Sequence, residues 1–210
     1  MAPSLVTASG RLPAVIAAVP IKSFSAAKAR LGDAVPAGRR ADLGIALAAR
    51  TAGAARDAGA RVLIVSGATE VLEWARTAGF GRVGQENSGL DDAAAIAVAV
   101  ARRERLPWAI IHADLPLVRV SDLQEVFAAA AAGPVLAPSV DGGTNVIAAD
   151  AAGFAFAYGP GSFARHLRTA ASRRPRIVVR PGTAVDLDTA RDLKRVMSHP
   201  EGRWVNEYLD

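Results

Sequence analysis

The 210-residue chain has no cysteine, which removes a disulfide framework, a thiolate metal site and a cysteine nucleophile together. Any metal must then sit on oxygen or imidazole. Aromatic residues make up only 5%, and no apolar run reaches membrane-spanning length without a charge or a breaker; residues 13–21 are too few to cross a bilayer. Residues 1–11 lack the basic head and long apolar stretch of a secretion signal, so a cytoplasmic protein without membrane contact is expected. A large charge excess is missing too, since 25 basic and 20 acidic side chains leave a net +5, whereas disorder needs fewer apolar residues and more net charge. The arginines behind the pI of 10.4 are spread along the chain rather than clustered with aromatics. That distribution favours phosphorylated small molecules over nucleic acid.

What is present is a chain 51% hydrophobic, long enough to bury roughly 70% of its unfolded surface in one core. A single domain is expected over residues 13–199, preceded by a lead-in (1–12) and followed by a short appended tail (200–210). Short apolar runs at 14–20, 61–66, 82–84, 108–113, 134–138, 144–148 and 176–179 predict strands. Amphipathic stretches at 39–58, 70–78, 91–105, 121–131, 162–172 and 189–198 predict helices. This alternation is that of an α/β protein, a mainly parallel sheet flanked by helices. Asp141-Gly142-Gly143 is a hairpin signal between two apolar runs, so one strand should be antiparallel and the sheet mixed.

Ligands of open α/β sheets gather beyond the carboxyl ends of the strands, which directs attention to four places. After the first strand, Lys22, Lys28 and Arg30 put three cations in nine positions, enough to hold a polyphosphate; the alternative is a set of solvated charges. The Walker glycines are missing. At 108–117 an apolar strand runs through His112, expected to pack within the strand, into Asp114-Leu115-Pro116. A lone strand-end aspartate can ligate Mg²⁺ or satisfy turn amides. Asp186 and Asp188 point the same way if extended, although Asp188 is also placed to cap the helix starting at Thr189. Finally, Gly159-Pro160-Gly161-Ser162 enters a helix, where free amides bind an anion or Ser162 simply caps. Thr144, on the hairpin, could reach the same cavity. The stretch 85–92 also starts a helix after a strand, either to read a purine edge with its backbone or merely as a capped start.

Taken in order, the basic loop 22–31, His112-Ala113-Asp114-Leu115-Pro116-Leu117, Gly142-Gly143-Thr144-Asn145, Gly159-Pro160-Gly161-Ser162-Phe163-Ala164-Arg165-His166 and Asp186-Leu187-Asp188-Thr189 resemble one family. It is the 2-phospho-L-lactate or phosphoenolpyruvate guanylyltransferases of deazaflavin coenzyme (F-420) biosynthesis. The resemblance runs from about residue 14 to about residue 195, and Gly-Pro-x-Ser-x-x-Arg-His is its most specific part. One departure is Gly89-Leu90-Asp91, where the family usually has Gly-Leu-Asn.

The resemblance implies a glycosyltransferase A-like nucleotidyltransferase fold that joins GMP from GTP to phosphoenolpyruvate, 2-phospho-L-lactate or 3-phosphoglycerate with release of pyrophosphate. It implies nucleotide contacts at Lys22, Ser23, Lys28, Ser66, Gly89 and Leu90, acceptor contacts at Thr144, Gly159, Gly161 and Ser162, and Mg²⁺ on Asp114, Asp186 and Asp188. Lys28 and Arg30 would cover phosphate charge beside Asp114, and a downstream transferase of the same pathway would be a further partner. Molybdenum-cofactor and sugar-phosphate nucleotidyltransferases carry a glycine-containing first loop, whereas 19–31 has no glycine. A phospholigand-binding module without catalysis would need neither Asp114 nor the Asp186, Asp188 pair.

Overall fold

A computed structural model describes residues 15–25, 28–86 and 89–209. The lead-in 1–12, the first residue of the predicted strand at 14, and Asn87 and Ser88 of the 85–92 loop lie outside them.

Seven strands form one sheet: β1 (Val15–Pro20), β2 (Ala60–Ser66), β3 (Gly81–Gly84), β4 (Trp108–Ile111), β5 (Val135–Pro138), β6 (Thr144–Ala149) and β7 (Arg176–Ile177). Their spatial order is β3-β2-β1-β4-β6-β5-β7. Pairings are parallel throughout except around β6, which runs antiparallel to both β4 and β5. The hairpin at Asp141-Gly142-Gly143 therefore does what its sequence announces. Gly142 takes φ 87, a value that costs glycine little, and Asp141 Oδ1 accepts from the Gly143 N–H at 2.9 Å.

Alternation along β1 sorts the helices into two layers. Val15, Ala17 and Val19 face a cluster built with α1 (Arg40–Asp57), α2 (Thr69–Thr77) and α4 (Val120–Ala130). Ile16 and Ala18 face the other side, packed against α3 (Leu90–Glu104) and the end of α5 (Ser162–Ala170). Alanine, the best helix former, lines the buried stripes at 48, 52 and 55 of α1 and at 93, 94, 97 and 101 of α3, which lets these helices lie close to the sheet. None of the described helices is long and apolar enough to cross a membrane.

A third cluster joins Leu31, Leu43 and Leu47 to Leu187 and to Leu193 and Val196 of α7 (Ala190–Met197). It corrects the reading of 200–210 as an appended tail. Pro200–Tyr208 is a 3-10 helix whose Val205 is fully buried in this cluster, and Trp204 Nε1 donates to Pro116 O at 3.1 Å. A short α6 (Pro181–Ala184) was not expected either; its Gly182 packs so tightly that a Cβ would collide with Asp122 and the Leu117 carbonyl.

Candidate active site

Strand order reverses between β1 and β4, since β2 and β3 follow β1 on one side and β4 lies on the other. A ligand crevice is expected outside the carboxyl ends at such a switch point. A cleft of about 270 Å³ occupies that place, lined by Pro20, Ile21, Lys22, Ser23 and Phe24 after β1, by Lys28, by Gly44, Leu47 and Ala48 of α1, by Leu90, and by His112, Ala113 and Asp114 after β4. Five residues singled out in the sequence meet there: Lys22, Ser23, Lys28, Leu90 and Asp114.

The first loop is held from outside the cleft. Glu70 Oε1 accepts from Ser23 Oγ at 2.8 Å and from the Phe24 and Ser25 N–H groups at 3.1 and 3.3 Å, and the Ser23 bond foremost holds the Glu70 carboxyl below the usual range. Lys28 then leaves the loop with φ 60, a left-handed backbone few non-glycine residues adopt. Its side chain is 8% exposed, with Nζ 2.8 Å from Asp114 Oδ2 and 2.9 Å from Asp188 Oδ1. Burial works against that charge, but attraction by Asp114 and Asp188 outweighs it and the ammonium stays above the ordinary lysine value. For Asp114 burial is likewise the largest influence, overcome by Lys28, so its carboxyl titrates low. Arg30 is 76% exposed, its guanidinium 3.9 Å from Asp188 Oδ2.

Asp186 is positioned differently. Its Oδ1 accepts from Ser139 Oγ at 2.7 Å and lies 3.5 Å from Asn145 Nδ2. Burial, then the charge of Asp114, pushes its carboxyl above the usual range. Leu187 N–H donates to Asp114 O at 3.0 Å, which ties the 186–188 segment to the end of β4. The sequence reading of Asp188 as a helix cap is corrected: Thr189 caps α7, its hydroxyl and N–H both pairing with the Asp192 carboxylate, so Asp188 is left to the ion pair.

As a metal site the three carboxylates offer oxygen donors of the kind a hard cation takes, and Asp114 Oδ1 is buried with no hydrogen-bond partner among the described residues. Those features fit a divalent cation. Among the described residues, however, no group of three or more carboxylate or imidazole side chains is assembled for one, because the Lys28 ammonium stands between Asp114 and Asp188 while Asp186 is turned to Ser139 and Asn145.

The glycine-rich turn is more closed than its sequence suggests. Ser162 N–H donates to Gly159 O at 3.0 Å and Phe163 N–H to Gly142 O at 3.2 Å, so the first two amides of α5 are already used. The expectation of free amides at that helix terminus is corrected to this extent. Gly159 and Gly161 both have positive φ, 105 and 68, and Arg165 fastens the turn by donating to the Ala157, Tyr158 and Pro160 carbonyls. Thr144 and Ser162, 1% and 2% exposed, meet at 3.2 Å, and Thr144 Oγ1 is 2.9 Å from His166 Nδ1. Antiparallel β6 explains this placement, since its first residues lie at the same sheet edge as the end of β4, where His112 N–H donates to Asn145 O at 2.9 Å.

Ser66 is fully buried, its Oγ accepting from the Ala68 N–H at 3.0 Å. Gly89 precedes α3, its carbonyl accepting from Gln85 Nε2 at 2.6 Å, and Asp91 Oδ1 accepts from the Tyr158 N–H at 2.9 Å, linking the start of α3 to the glycine-rich turn. His112 corrects another expectation: β4 stops at Ile111 and the imidazole lines the cleft, 5.7 Å from the Tyr158 ring. Its i, i+2 relation to Asp114 was the signal available in the sequence. Ser139 and Glu70 had no comparable signal, because Asp186 lies 47 residues from Ser139 and the partners of Glu70 lie 45, 46 and 47 residues away.

The family described as "Guanylyl transferase CofC like" matches residues 15–210. A Rubrobacter xylanophilus protein named phosphoenolpyruvate guanylyltransferase is 38% identical over 194 residues, which span 87% of this chain and 93% of that protein. A Methanothermobacter thermautotrophicus protein named 2-phospho-L-lactate guanylyltransferase is 29% identical over 197 residues, 92% of this chain and 88% of that one. Among solved structures, a Desulfovibrio desulfuricans chain assigned as a nucleotide-diphospho-sugar transferase superposes with a TM-score of 0.75 at 15% identity, covering 93% of this chain and 95% of that chain; that likeness bears on the fold alone, which is the one expected. With its family match running from the first described strand to the last residue, the chain belongs to the CofC-like guanylyl transferases.

Proposed function

We propose that the chain transfers the guanylyl group of GTP to the phosphate of a small phosphorylated carboxylic acid, phosphoenolpyruvate or 2-phospho-L-lactate, with 3-phosphoglycerate a third acceptor of the same chemistry, in the biosynthesis of coenzyme F-420. The observation that carries the reading is the cleft in which Lys22, Ser23, Lys28 and Asp114 meet at the β1/β4 switch point. An acceptor phosphate oxygen is ionised at neutral pH, so it attacks the α-phosphorus without a general base. The new bond is phosphate oxygen to α-phosphorus, and the bond broken releases pyrophosphate with its electron pair. Alignment and charge neutralisation are what such a step needs.

Lys22 and Lys28 supply cationic charge at the cleft, and Arg30 stands exposed beside Asp188. Asp114, Asp186 and Asp188 would hold Mg²⁺, which when bound supplies further neutralisation of phosphate charge. Thr144 and Ser162, held together and to His166, with the turn at Gly159 and Gly161, form the acceptor side. Gly89 and Leu90 form the purine side. The test is pyrophosphate release from GTP with each of the three acids in turn and then with ATP, CTP and UTP. Release that requires GTP and one phosphorylated acid supports the reading; release with no acid, or none with any, refutes it.

A further inference from the structure

Two carboxylates on separate elements, Asp114 after β4 and Asp188 before α7, converge on one lysine ammonium. The lysine arrives on a left-handed backbone, φ 60, a conformation that costs a non-glycine residue energy the ion pairs must offset. Asp114 keeps its second oxygen, Oδ1, buried and without a partner among the described residues, so the ammonium satisfies only part of the donor set that surrounds it. An ammonium can neutralise one unit of charge through three donors; a divalent cation in the same place would neutralise both carboxylates and employ the orphaned oxygen. The two cations cannot share the position, and a polyphosphate is the anion that would draw a lysine out of it.

We propose that Lys28 is a resident counter-cation which closes the Asp114–Asp188 pair to a divalent metal until a nucleoside triphosphate takes up its ammonium. This rests on the proposed reaction for the identity of the triphosphate, but the ion-pair geometry stands without it. The consequence is an order of binding. The ligand-free protein holds a divalent cation weakly, and nucleotide and metal enter together, each assisting the other. Such coupling is reciprocal by linkage. Without either cation the two carboxylates, Asp114 partly buried and Asp188 42% exposed, would repel each other.

The experiment is Mn²⁺ binding to the ligand-free full chain, followed by the electron paramagnetic resonance signal of free Mn²⁺ near neutral pH. Lys28→Met and Lys28→Gln should each bind Mn²⁺ about tenfold or more tightly than wild type, since the competing ion is gone from 2.8 and 2.9 Å. Arg30→Met removes the same charge from 3.9 Å at an exposed position and should change the affinity by less than about threefold. Unchanged or weaker binding in both Lys28 variants, or an equal gain in Arg30→Met, overturns the proposal.

Should neither Lys28 variant fold, the wild type decides. With a GTP analogue whose α,β-bridging oxygen is a methylene, Mn²⁺ should bind about tenfold more tightly than to either the protein or the analogue alone, and equal affinities overturn the proposal. The Mn²⁺ readout on ligand-free variants involves neither catalysis nor acceptor. An active wild type with unchanged Lys28 variants sinks the counter-cation role alone, whereas the predicted gain in a protein that releases no pyrophosphate sinks the guanylyl-transfer reading alone.

Discussion

Thr144 Oγ1 and His166 Nδ1 lie 2.9 Å apart, brought together from β6 and α5 in a region where both residues are at most 1% exposed. The direction of this bond follows from the other ring nitrogen. His166 Nε2 accepts from the Ala157 N–H at 2.9 Å, so the neutral ring carries its proton on Nδ1 and donates to Thr144. The threonine proton can then pass to Ser162 Oγ, 3.2 Å away, which leaves the serine proton as the free end of the chain. Thr144→Val keeps the shape but strands two buried polar groups, and it should cost about 1–3 kcal/mol in urea unfolding. Thr144→Ser should recover most of that loss. Equal stability of Thr144→Val and wild type would mean that the chain of hydroxyls holds nothing together.

The same geometry sets a pH dependence. Burial lowers the His166 pKa from 6.5 to about 4, so the folded protein refuses a proton that the unfolded chain accepts. Stability should therefore fall as pH drops from 6.5 towards 4, with about 1.4 kcal/mol for each unit separating the two pKa values, and this slope should end below about pH 4, where both states are protonated. His166→Gln removes the group, so its urea midpoints should decline less over the window. Parallel declines in the two proteins would show that His166 does not contribute.

The order and type of the main elements were legible because the alanine-rich helices and short β-branched strands carry opposite periodicities, and the Asp141-Gly142-Gly143 turn marked the one antiparallel strand. What escaped was decided by distant partners. Nothing near residue 205 announces that Val205 completes a core with Leu31 and Leu187, and nothing near Lys28 announces that its ammonium meets Asp188, 160 residues on. The cleft residues Lys22, Ser23 and Asp114 were legible as strand-end polar groups. The closure of the Ser162 and Phe163 amides was not, because their acceptors lie in neighbouring turns.

Capping and charge can be separated at α7. Thr189→Ala removes the cap whose hydroxyl pairs with Asp192 and should cost about 1 kcal/mol. Asp188→Asn leaves that cap in place, so its effect should appear in GTP-dependent transfer well before it appears in unfolding. Thermal melts and pyrophosphate assays of the two variants decide between these roles. A Thr189→Ala melt identical to wild type, together with a strongly lowered Asp188→Asn melt, would return the cap to Asp188.

The proposed guanylyl transfer in this cleft gives Asp114 the central place. The most direct measurement is pyrophosphate release by wild type and Asp114→Asn with GTP, Mg²⁺ and each phosphorylated acid, with thermal melting of both proteins alongside. The amide keeps an oxygen for Lys28 but loses the charge, so wild type should release pyrophosphate while a folded Asp114→Asn falls by at least about a hundredfold. Near wild-type release from a folded Asp114→Asn protein would mean that the Asp114 charge does not serve the transfer.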